Sequence, residues 1–154
     1  MSTLTLTIPR VPVGPNGPGG LLRMHYMRRS KYNYVWLKEI RAQIPEPMSM
    51  SGEGFQRSIV QIHQVRVALL DPDNLVASVK PCLDAMVHWG ILKNDDAGHI
   101  DLRVTQEKGK PRRTEIRVDH LASCGYCEIC KAPIYIPFSD HWATAEHRGN
   151  EGPV

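Results

Sequence analysis

The chain has 154 residues, enough for one domain of roughly 120 residues with a sheet and packed helices, plus a short tail. Its formal charge of +3 is mild and does not by itself argue for a nucleic-acid partner. No apolar run approaches the ~20 residues of a membrane span, and no charged start followed by an apolar stretch suggests a signal peptide. A cytoplasmic protein with reduced cysteines and no membrane partner is expected.

The opening TLTLTIP reads as a strand. The VPVGPNGPGG that follows is too rich in Gly and Pro for a regular element and is expected to be a mobile loop. The first 38 residues carry Arg10, Arg23, Arg28, Arg29, Lys31 and Lys38 but no acid, a block that a phosphate backbone would attract. Aromatic residues interleave with it. Tyr26, Tyr32, Tyr34 and Trp36 are candidates for stacking on unpaired bases, although Trp36, with Leu37 and Ile40, better fits the core face of a helix from about Lys31 to Ala42. Surface contact with DNA is assigned to Arg28, Arg29 and Lys31.

An apolar strand is predicted from Ile59 to Leu70, ending at Asp71, which the ring of Pro72 pushes toward an extended conformation. A helix follows from about Asn74 to His88. At about 100° per residue, Asp73, Ala77, Lys80 and Asp84 form a polar stripe, and Leu75, Val79, Leu83 and Met86 form the buried side. Asp73 or Asn74 is expected to cap the helix, Pro81 to kink it, and Cys82 to serve as packing. Strands near Ile100 to Glu107 and Thr114 to Val118 are predicted to form a hairpin around KGKPRR. Its Lys108, Lys110, Arg112 and Arg113 are either a second grip on DNA or a solvated turn. The expected fold is α/β (α+β), a mixed β-sheet with helices packed on it over residues 1–120, with a small Cys/His module over residues 121–154.

Between Asp71 and Asp96 the run DPDNLVASVKPCLDAMVHWGILKNDD holds Asp71, Asp73, Asp84, Asp95 and Asp96 against only Lys80 and Lys93. A cap or a solvated turn needs one acid, and here several gather. Hydrolysing a phosphodiester means stabilising negative charge on the attacking, leaving and nonbridging oxygens. Magnesium does so while held by one or two carboxylates and substrate phosphate. Basic ends around an acidic centre are the charge distribution such an enzyme needs.

The order DPDN, a lysine, LDAM, a glycine turn and paired aspartates resembles the RusA family of Holliday junction resolvases. The resemblance covers roughly residues 56–107, and more weakly the opening strand. It implies a RusA-like fold and a magnesium-dependent homodimeric endonuclease, of a kind frequent in phages, that cuts four-way DNA junctions symmetrically in recombination and repair. If phage-encoded, the chain would act in a bacterial host cell. The family's essential acids fall on Asp71, Asp73 and Asp96, its lysine on Lys80, further acids on Asp84 and Asp95, and its asparagine on Asn74. This chain departs from the pattern by about one helical turn of additional sequence before the lysine, which leaves Lys80 on the same side of the helix.

The tail carries Cys124, Cys127 and Cys130 in CGYCEIC, with His141 and His147 downstream. Cys127, Cys130, His141 and His147 have intervals suited to tetrahedral zinc. Cys124 is a rival ligand and His120 stands nearby. Such a zinc ion would be structural, since a short tail cannot bury its own core. His25, His63, His88 and His99 read as structural or surface residues. Alternatives to the junction resolvase are a zinc-bearing DNA-binding or regulatory protein without catalysis, and a flap or duplex nuclease.

Overall fold

A computed structural model describes residues 2–44, 55–127 and 132–135. In chain order the elements are β1 (Ser2–Ile8), a 3-10 turn at Leu21–Arg23, α1 (Tyr26–Gln43), β2 (Phe55–Arg66), α2 (Pro72–Ser78), α3 (Lys80–His88), β3 (Ile100–Lys108), β4 (Arg113–Cys127) and β5 (Ala132–Tyr135). The strands form a sheet in the order β1-β4-β2-β3, with β5 pairing β4. β4 runs antiparallel to both β1 and β2, whereas β2 and β3 are parallel. The mixed sheet with helices expected from the sequence is therefore present. A parallel pair needs a crossover, and α2 and α3 provide it.

Strict alternation decides which face the helices cover. Leu4, Leu6 and Ile8 of β1 are buried while Thr3, Thr5 and Thr7 are exposed, the period-two pattern of a sheet packed on one side. Val60 and Ile62 of β2, Ile100 of β3, and Ile116 and Val118 of β4 extend this apolar face. Against it lie Trp36 and Ile40 of α1, Val79, Leu83 and Met86 of the α2–α3 segment, and Ile91 and Leu92 beyond it. Trp36 is completely buried, edge-on to Tyr32 at 6.5 Å between ring centroids. Trp89 donates its indole N–H to the Leu37 carbonyl at 2.9 Å, tying the end of α3 to α1.

Several local expectations change. The Asn74–His88 helix is two helices, because Pro81 has no N–H to offer and its ring would strike the preceding turn of a continuous rod. The chain restarts at Val79, whose carbonyl accepts the N–H groups of Cys82 and Leu83 at 2.9 and 3.1 Å. α1 begins at Tyr26, a full turn before the expected Lys31. β2 stops at Arg66 rather than Leu70. The Gly/Pro segment is wound into successive turns, with Leu21 N–H donating to Gly14 and Leu22 N–H to Pro15 at 3.1 and 3.0 Å. Gly20 is required there, since a Cβ would meet the Asn16 carbonyl oxygen at 2.5 Å.

The largest correction concerns the KGKPRR turn. β3 and β4 follow one another in sequence but are not partners, because β2 lies between them. The connection crosses the end of β2, where the Gly109 N–H donates to the Arg66 carbonyl at 2.8 Å. A side chain at 109 would come within 2.9 Å of Val65, so glycine allows the crossing. β4 also continues through residue 120 to Cys127, and β5 pairs with its far half. Among the described residues no helix is long and apolar enough to cross a membrane.

Candidate functional site

The acidic run occupies the crossover. Asp71 is the N-cap residue of α2, extended at φ −64° and ψ 153°, as its place before proline requires. Its carbonyl accepts the Leu75 N–H at 2.8 Å, but no side chain caps the helix, so the expected capping role of Asp73 or Asn74 is not found. Asn74 instead accepts a hydrogen bond from the Asn16 side chain at 2.9 Å, which fastens the Gly/Pro loop to α2. Asp71 is held from the other side as well. Gln106 of β3 donates to the Leu70 carbonyl at 2.6 Å and accepts the Leu70 N–H at 3.0 Å, gripping the backbone one residue upstream.

The polar stripe is as its spacing predicts. Asp73, Ala77, Lys80 and Asp84 are exposed, while Leu75, Val79, Leu83 and Met86 are buried. The carboxylates of Asp71 and Asp73 make no hydrogen bond or ion pair among the described residues. Lys80 is the hub of the stripe. Its ammonium lies 2.7 Å from Asp84 and also pairs with Asp95, bringing the 94–96 turn against α3. Asp84 first, and then Asp95, hold the lysine above its ordinary value, so it remains a cation.

Asp96 faces different partners. It accepts hydrogen bonds from the Gly98 and His99 N–H groups at 2.8 and 3.1 Å, contacts the His99 ring at 2.7 Å, and receives the Asn94 amide at 2.6 Å. His99, above all, keeps this carboxyl below the usual carboxylate range. In the sequence His99 reads as a lone residue, and its position three after Asp96 is the local signal that links the two. Gln106 gave no such signal, because its contact with Leu70 arises only across the sheet. Among the described residues, no three His, Cys, Asp or Glu side chains stand together as a metal site.

A cleft opens beside the stripe, with Arg29 and Asn33 of α1 on one wall, Lys80 and Asp84 of α3 on the other, and Leu22 and Pro81 between. Arg29 and Asn33 also line a second depression with Tyr26 and Tyr34. These tyrosines are 73 % and 61 % exposed. Trp36, by contrast, is core, and the Tyr32 hydroxyl accepts the Val13 N–H at 2.9 Å. The aromatic group singled out in the sequence thus divides into two surface and two packed members.

Of the basic residues assigned to DNA, Arg28 and Lys31 are exposed and have no ion pair among the described residues, and Arg29 donates to the Leu21 carbonyl at 2.6 Å. Lys108, Lys110 and Arg112 are likewise exposed, whereas Arg113 pairs with Glu115 at 2.6 Å. Cys82 is fully buried, as expected. His120 is buried beside Ser58, its Nδ1 3.0 Å from the hydroxyl, so it faces the core. The side chains of Cys124 and Cys127, and all of Cys130, His141 and His147, lie outside the described residues. No protein-family model matches the chain, and no curated protein matches it.

Proposed function

We infer that the protein is a magnesium-dependent endonuclease for branched DNA, cutting four-way junctions as the RusA-like resolvases do. One observation carries the reading. Lys80 pairs with Asp84 on its own helix and Asp95 from the following turn, so the two separated halves of the acidic run meet beside a cleft whose far wall carries Arg29.

The donor set suits magnesium by type. Asp71, Asp73, Asp95 and Asp96 offer hard oxygen ligands at or near the surface. Asp71 and Asp73 are unengaged among the described residues; together with Asp96 they would hold the ion, while Asp95 and Asp84 keep Lys80 in place. Bound there, magnesium would neutralise charge on the phosphate and polarise a water molecule.

The remaining chemistry belongs to the chain. Lys80 is held protonated and so acts as a fixed positive charge rather than a base, suited to charge growing on the scissile phosphate or leaving oxygen. Asp84 is a positioning residue acting through Lys80. Arg29 and Asn33 would orient the strand across the cleft. Symmetric cutting needs two matched sites, which a two-fold homodimer supplies. The Cys127, Cys130, His141 and His147 set belongs to this reading as a structural zinc module, with Cys124 as the rival ligand.

The test is cleavage of a synthetic four-way junction with magnesium. Asp73→Asn should abolish cutting while leaving junction binding within a few-fold. Binding without magnesium-dependent cutting would favour the zinc-bearing DNA-binding protein, and equal cutting of linear duplex or flap substrates would replace junction resolution with a broader nuclease activity.

A further inference from the structure

Outside the acidic site, the most unusual charge is Arg66, at the carboxyl end of β2. Its residue is only 8 % exposed, yet no carboxylate pairs with it among the described residues. It donates Nη1 to the Pro12 carbonyl at 2.9 Å and to the Gln64 side-chain oxygen at 2.5 Å, and Nε to the Ala68 carbonyl at 3.3 Å. All three acceptors are neutral. A guanidinium stays charged at any ordinary pH, so Arg66 is a permanent positive charge held by neutral oxygens alone among the described residues. Burial, and the like charge of Arg112, push Arg66 below its ordinary value.

The turn that crosses β2 brings further positive charge to the same end of the sheet. Lys110, Pro111 and Arg112 line a surface depression with Val67, the residue after Arg66. Neither Lys110 nor Arg112 has a hydrogen bond or salt bridge among the described residues. Three cations therefore collect beside the segment that leads into Asp71, and no acid pairs with any of them among the described residues. Sequence order alone would not have grouped Arg66 with residues 110 and 112. The crossing does so through the Gly109–Arg66 hydrogen bond.

We propose that Arg66, Lys110 and Arg112 form a phosphate subsite that takes a backbone phosphodiester of the DNA entering the acidic site. This rests on the reading of DNA as substrate. Lys110 and Arg112 would contact the nonbridging oxygens from the turn. Arg66 supplies a fixed field from behind, its fork held by three carbonyl oxygens. The subsite anchors the strand and takes no part in bond breaking.

The experiment measures binding of a fluorescein-labelled four-way junction by anisotropy, in EDTA, across a series of potassium chloride concentrations. Each phosphate contact contributes about 0.9 to the slope of log K against log salt. Lys110→Ala/Arg112→Ala should lower the slope by about 1–2, whereas Arg103→Ala, on the exposed sheet face, should leave it unchanged. Arg66→Met should weaken binding in the same direction, with a thermal melt run alongside; because Lys110 and Arg112 are exposed, the double variant decides the matter even if Arg66→Met does not fold. An unchanged slope in the double variant, or an equal fall in Arg103→Ala, overturns the subsite. Loss of slope in a protein that never cuts would retain the subsite and remove the nuclease reading, and cutting with an unchanged slope would do the reverse.

Discussion

Replacing Lys80 with methionine separates chemistry from architecture. Lys80 opens α3, where the helix dipole disfavours a cation by about 0.3–1 kcal/mol. Against this stand two ion pairs, but the lysine side chain is 57 % exposed and its partners Asp84 and Asp95 are 52 % and 22 % exposed. Pairs in such surroundings are screened and contribute about 0.2–1 kcal/mol each. The helical pair also runs lysine first, the weaker order. These contributions nearly cancel, so Lys80→Met should change stability by less than about 1 kcal/mol, or about 2–4 °C in Tm. Its effect on cutting should be far larger. Removing a group that stabilises transition-state charge costs about 10²–10³ in rate, and single-turnover cleavage of a four-way junction should fall by that factor with binding within a few-fold. Unchanged cleavage would refute the assigned role, and a fall of about 10 °C in Tm would make Lys80 a structural clamp instead.

Two further outcomes test the scaffold. Trp36→Ala should destabilise the domain by about 3–5 kcal/mol, read from chemical denaturation, because the ring is fully buried between α1 and the sheet; a loss below about 1 kcal/mol would contradict that placement. Stability should also fall with acid in two stages. Burial lowers the pKa of His120 below its ordinary 6.5, so below that pH the unfolded chain binds a proton the folded one resists, and stability declines as pH falls toward the folded value. For Asp119, burial pushes the carboxyl up, but the Thr3 hydroxyl at 2.6 Å and Arg117 at 2.9 Å outweigh it and hold it below 3.8. Its contribution is present above 3.8 and lost as pH falls through its lower folded value. Urea midpoints measured against pH should show both stages, and His120→Gln should remove the first.

Much of the site was legible in one dimension because its signals are periodic or local. The spacing of Asp73, Ala77, Lys80 and Asp84 against Leu75, Val79, Leu83 and Met86 sets one exposed and one buried face whether the helix is whole or broken. Alternation in TLTLTI likewise fixes the inward side of β1. The break at Pro81 was visible as a disturbance but not as a complete restart. Pairing was beyond the sequence. Nothing in the residues flanking KGKPRR says that β2 will separate β3 from β4, because strand partnership depends on which apolar faces meet across the whole sheet.

Composition and spacing alone determined that acids gather where a strand runs into a helix, within a basic chain, since turn, proline and helix preferences act over a few residues. Tertiary structure decided which groups meet: Lys80 with Asp95, Asp96 with His99, Gln106 with the backbone before Asp71, and Arg66 with the 110–112 turn. Those contacts depend on loop crossings and strand order, which arise from burial of the whole core and leave no mark on neighbouring residues.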